Sequence, residues 1–131
     1  MVILGIDPGV AIVGYGVVDY TGNRFRTLGY GAITTPAKTK LTSRIKTIYE
    51  ELRLLLYQYK PDVMAVEELF FNTNTTTAMA VAQARGVILL AGTNESVPIY
   101  EYTPLQIKQA VTGYGRAEKQ QMQQMTKTLL G

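Results

Sequence analysis

The sequence predicts an α/β fold built on a mixed five-stranded sheet flanked by helices, and three patterns carry that prediction. Three apolar stretches joined by short turns fill residues 1–35, the pattern of an antiparallel meander. Beyond them, apolar runs of four or five residues alternate with segments of helical periodicity, the pattern that adds parallel strands to a sheet. The composition, 47% hydrophobic and 18% charged over 131 residues, suits one packed domain and not a disordered chain.

The first element is Val2-Ile3-Leu4-Gly5-Ile6, a continuous apolar run that suits a strand buried on both faces and is ended by Pro8-Gly9. Residues 12–20 form the second strand. Thr21-Gly22-Asn23 supplies a turn, and residues 24–35 form the third strand. Leu41, Ile45, Ile48, Leu52, Leu55 and Tyr59 then recur at steps of three and four, one face of an amphipathic helix that Pro61 stops. Val63-Met64-Ala65-Val66 is a fourth strand. The polar residues 72–77 offer N-caps for an Ala- and Gly-rich helix from about 75 to 93, which serves either as a core helix or as a close contact with another subunit. Residues 97–101 form a fifth strand. Thr103-Pro104-Leu105-Gln106 opens a helix with a cap, a proline at the first helical position and a capping-box glutamine. Gly113-Tyr114-Gly115 ends that helix, and a last one begins near Arg116.

Residue types narrow the chemistry. The chain has no cysteine and no histidine. That excludes disulfides, thiolate or imidazole zinc sites, and Ser-His-Asp or Cys-His catalysis. Carboxylates, lysines, hydroxyls or a hard metal ion remain. No stretch approaches the roughly 18 apolar residues of a membrane span, and the N-terminus lacks the signature of a secretory signal, so a cytoplasmic, membrane-free protein is expected. Nine basic and nine acidic residues cancel over 1–101, whereas Lys108, Arg116, Lys119 and Lys127 face Glu118 alone in 102–131. A basic end on a neutral body suits a polyanion, and equally a solvated helix face.

Asp7 and Glu67 each follow an apolar strand directly. In α/β sheets the crevice beyond the carboxyl ends of parallel strands is the usual functional site. If the two strands are parallel neighbours, these carboxylates meet there. They repel unless a proton or cation lies between them, and Mg²⁺ or Mn²⁺ suits an all-oxygen site. Alternatively, Asp7 is a turn residue before Pro-Gly and Glu67 the start of a solvated segment. Glu68 is expected to point elsewhere. Phe70 and Phe71 precede a threonine-rich loop; Phe70 is expected near the cleft, placed to stack on unpaired bases, and Phe71 anchors the loop.

Taken in order, Gly5-Ile6-Asp7-Pro8-Gly9 with Gly14-Tyr15-Gly16, Val66-Glu67-Glu68-Leu69-Phe70, Gln83-Ala84-Arg85-Gly86, and Lys108-Gln109 with Gly113, Gly115 and Ala117-Glu118-Lys119 resemble the RuvC family of Holliday-junction resolvases over nearly the whole chain. The resemblance implies one ribonuclease H-like nuclease domain over residues 1–131. It also implies a homodimer, metal-assisted cutting of four-way DNA junctions with Mg²⁺, and partnership with the RuvA–RuvB branch-migration complex. By the same resemblance Asp7 and Glu67 match metal-binding catalytic carboxylates, Phe70 an aromatic that reaches junction bases, and Lys108 and Lys119 basic residues near the scissile phosphate. Arg116 belongs to the same basic segment. The family adds further metal-binding side chains from a final helix. After Glu118 this sequence has no acidic residue, so a shortened chain that cuts poorly by itself is expected. Three rival readings share features with this one. Actin-like phosphotransferases also open with a strand, an Asp and a Gly-rich turn, but need a second such domain. A YqgF-type RNA-processing nuclease is a closer alternative, and a non-catalytic DNA-binding or dimerisation fragment is a third.

Overall fold

In a computed structural model of the chain, the residues described are 1–68, 75–112, 118, 120–121 and 125–126. Eight elements follow in order: β1 (Val2–Asp7), β2 (Ile12–Thr21), β3 (Arg24–Thr34), α1 (Leu41–Tyr59), β4 (Val63–Glu67), α2 (Thr75–Asn94), β5 (Ile99–Tyr102) and α3 (Pro104–Thr112). The strands form one sheet in the order β3-β2-β1-β4-β5. β1, β2 and β3 pair antiparallel, and β4 and β5 add parallel to β1, so the expected meander-plus-parallel arrangement is present.

Local chemistry explains the joints. Gly22 and Asn23 both take positive φ, 59° and 61°, the two-residue turn that matches the twist of a hairpin. α1 closes on Lys60, whose left-handed backbone lets its N–H donate to the Leu56 carbonyl at 3.0 Å before Pro61 forbids another turn. At α3 the Thr103 N–H donates to Gln106 Oε1 at 2.9 Å and the Gln106 N–H donates to Thr103 Oγ1 at 3.1 Å, the reciprocal capping box read from the sequence. β5 begins at Ile99, two residues later than the sequence pattern suggests. The Val97 N–H is spent closing α2 on the Gly92 carbonyl, and Pro98 has no N–H to give a ladder.

The sheet has two different faces. Leu4, Ile6, Val13, Val17, Met64 and Val66 are buried against Ile48, Leu52, Leu55 and Leu56 of α1 and Ala84, Ile88 and Ala91 of α2. This is the core. Strand side chains alternate between faces, so Gly5, Asp7, Ala65 and Glu67 point away from it, joined across the β1–β2 pair by Gly14 and Gly16. The α2 backbone packs so closely that a Cβ on Gly92 would lie 2.5 Å from the Met64 sulfur, which accounts for glycine there.

Candidate active site at the carboxyl ends of β1 and β4

β1 and β4 run parallel with Ile6 opposite Val66, so the next residue of each strand, Asp7 and Glu67, projects beyond the same edge on the same face. Both line a cleft of about 650 Å³ together with Gly5, Gly14, Gly16, Ala65, Tyr102, Ile107 and Thr126. The floor is made of glycine and alanine, which leaves open the space above the central strands. Gly9 shapes the turn that follows Asp7. A Cβ there would lie 2.2 Å from the Ile12 carbonyl oxygen, so only glycine permits this close return of the chain.

The electrostatics follow from the geometry. Partial burial of Glu67 is the largest influence on its carboxyl group, followed by the nearby negative charge of Asp7 and a side-chain hydrogen bond between the two. Together they push its pKa from 4.5 up to about 7, against an opposing pull from the Lys108 ammonium. Glu67 therefore keeps its proton to a higher pH than an ordinary carboxyl group. The donor set fits a hard divalent ion, which takes carboxylate oxygens. Among the described residues no group of three or more such ligands occurs.

Asp7, Glu67 and Lys108 thus come together, the lysine from α3. Phe70, Phe71, Arg116 and Lys119 lie outside the described residues. Glu118 is exposed, and its N–H donates to Gln121 Oε1 at 3.1 Å, in keeping with the expected place at a helix start. The remaining acidic strand residues lie elsewhere. Asp19 pairs with the N-terminal ammonium and Arg26 at the far edge, and Glu101 pairs with Arg85 of α2. Tyr102, which stands opposite Glu67 in the β4–β5 ladder and lines the cleft, was not singled out from the sequence. Its place depends on strand register, which no local pattern encodes. No helix among the described residues is long and apolar enough to cross a membrane.

The model of the family described as crossover junction endodeoxyribonuclease RuvC matches residues 3–131. A RuvC from Alkaliphilus oremlandii is 60% identical over 130 residues, 99% of this chain and 79% of that protein. A RuvC from Alkaliphilus metalliredigens is 62% identical over the same shares. The solved structure of Thermus thermophilus RuvC in complex with a Holliday junction substrate is 36% identical and superposes with a TM-score of 0.94, covering 100% of this chain and 80% of that one. The mixed sheet with its flanking helices is therefore the ribonuclease H-like fold of RuvC. Fold, paired carboxylates and whole-chain likeness agree: the chain belongs to the RuvC family of crossover junction endodeoxyribonucleases.

Proposed function

We propose that the protein resolves four-way DNA junctions by metal-assisted hydrolysis of phosphodiester bonds, with Asp7 and Glu67 as its metal-binding catalytic carboxylates. The observation that carries this reading is their convergence in one cleft beside Lys108. Members of the family are metal-dependent nucleases, and Mg²⁺ is the cation best suited to this site, with Mn²⁺ as a substitute. When bound, such an ion supplies Lewis acidity and a water that ionises near neutral pH.

The side chains of this chain do the rest. Asp7 and Glu67 would hold such an ion through their carboxylate oxygens, and its charge would favour release of the proton from Glu67. Lys108 offsets part of the carboxylates' negative charge and faces the phosphate that enters. The glycine floor lets the DNA backbone approach the sheet edge closely. Phe70 and Lys119 are assigned to the same DNA by the family motifs they match, and Arg116 by its place in the same basic segment. Family membership favours this reading over an actin-like phosphotransferase or a YqgF-type RNA nuclease.

A homodimer is part of the proposal, since a junction presents two strands for cutting. It is supported by the outer face of α2, where Met79 and Leu90 are 59% and 52% exposed and a Cβ on Gly86 would meet nothing within 4 Å. That face suits close packing of a second helix. Cooperation with RuvA–RuvB in the cytoplasm completes the reading.

The test is a synthetic four-way junction with the chain, with Asp7→Asn and with Glu67→Gln, in Mg²⁺ and in chelator. Both variants should bind the junction but lose metal-dependent cutting. Cutting by either variant at the unmodified rate, or binding no tighter to the junction than to linear duplex, would overturn the proposal.

A further inference from the structure

A second cleft lies on the same sheet edge, across the Pro8–Ile12 turn from Asp7. Here Gly9, Val10, Ala11, Ile12, Thr39, Leu41, Arg44 and Thr77 line an open notch of about 580 Å³. Arg44 is half-buried in it. Its Nε donates to Thr35 Oγ1 at 2.8 Å, and Thr35 Oγ1 donates in turn to the Val10 carbonyl at 2.6 Å. Thr35 is 6% exposed, and its N–H donates to the Ala11 carbonyl at 3.0 Å. The guanidinium is thus tied through a buried hydroxyl to the turn that follows Asp7.

Among the described residues, no carboxylate pairs with Arg44, and the one hydrogen bond its guanidinium makes to them is that to Thr35. A half-buried, fixed guanidinium with unused N–H donors is preorganised for an oxyanion. The surroundings reinforce this. Residues 35–45, which run past the notch, contain three basic residues and no acidic one. Lys38 and Lys40, both exposed, flank Thr39 at the notch, and the first turn of α1 holds no acidic side chain to compensate its positive end. Lys108 therefore has a basic counterpart across the Pro8–Ile12 turn.

We infer that Arg44, positioned by Thr35, grips a backbone phosphate of the junction DNA a short way along from the phosphate in the Asp7–Glu67 cleft. This rests on the nuclease reading and adds a second point of attachment to it. Two phosphate contacts on either side of the Pro8–Ile12 turn set the angle at which the strand crosses the sheet edge, whereas one contact leaves it free to pivot. Arg44 positions DNA and takes no part in bond breaking.

The experiment is junction binding by fluorescence anisotropy over several salt concentrations, with thermal melts, for the unmodified chain, Arg44→Gln, Arg44→Lys, Thr35→Val and Lys108→Ala. Arg44→Gln should weaken junction binding on the order of 10-fold and reduce the salt slope by about one contact. Arg44→Lys should restore the slope but not the full affinity, because a lysine does not reproduce the fixed fork. Thr35→Val should lower affinity while keeping the slope, the mark of a positioning role. The Lys variant keeps the test valid if the Gln variant melts early. Unchanged affinity and slope in Arg44→Gln, with Lys108→Ala still weakened, would overturn the inference and leave the nuclease reading standing. Absence of junction binding by the unmodified chain would overturn both. Thermal stabilisation by inorganic phosphate that Arg44→Gln abolishes, with junction affinity unchanged, would assign the notch to a small anion and overturn the inference.

Discussion

Val2 and Asp62 exchange two hydrogen bonds across the β1–β4 pair: the Val2 amide donates to Asp62 Oδ2 at 2.7 Å, and the Asp62 amide donates to the Val2 carbonyl at 2.8 Å. This clamp sits at the opposite end of the same two strands from Asp7 and Glu67. A slip of one residue between the strands would send Glu67 to the core face, so the clamp guards a register on which the site depends. Asp62→Ala should cost about 1 kcal/mol, the usual net value of such a bond at an exposed position. It should also weaken Mn²⁺ binding at the other end of the strands. Urea unfolding and metal titration measure the two effects, and a variant unchanged in both would show that the ladder alone sets the register.

The raised pKa of Glu67 makes a prediction about pH. Glu67 titrates at about 7 when folded and near its ordinary 4.5 when unfolded. Between those values the folded chain holds a proton that the unfolded chain has released. Stability contributed by the protonated form is therefore fully present below pH 4.5 and is lost as pH rises through 7. In chelator, the melting temperature should fall across this window, and Glu67→Gln should flatten the fall. The sequence has no histidine, so no imidazole confuses the reading. Saturating Mg²⁺ should reverse the trend, since the ion binds the ionised pair. A melting temperature independent of pH from 5 to 7.5 in chelator would contradict the carboxylate coupling.

Lys108 pulls the Glu67 pKa down and, in the proposed function, faces the entering phosphate. Lys108→Ala should shift the Glu67 titration upward, measurable by NMR of the side-chain carboxyl. It should also lower the salt slope of junction binding by about 0.9. A slope that stays the same would leave Lys108 as a local charge balance only.

Ligand number sets the last expectation. Among the described residues two carboxylates meet in the cleft and no third joins them, while Mg²⁺ demands near-ideal octahedral geometry and releases water reluctantly. The full-length Alkaliphilus oremlandii relative, of which this chain covers 79%, should cut junctions at least about 100-fold faster than this chain, the scale on which misplacement of about 1 Å acts. Equal rates for the two proteins, in a cleavage time course, would mean that two carboxylates suffice.

Much of this molecule is written locally. The span of α1 is legible because Leu41 to Tyr59 repeat at helical spacing and Pro61 follows; the α3 cap is legible because Thr103 and Gln106 satisfy each other within one turn. Asp7 and Glu67 are legible as candidates because each ends an apolar run. Local sequence does not contain register, since strand pairing joins residues dozens of positions apart through backbone groups that every residue shares. The pairing of Ile6 with Val66, the place of Tyr102 opposite Glu67 and the choice of the glycine-lined face for the cleft were decided by how the core face packs against α1 and α2. Arg44 shows the same division. Its charge is visible in the sequence, but its tie to Thr35 exists only once the turn after Asp7, the end of β3 and the start of α1 are brought together.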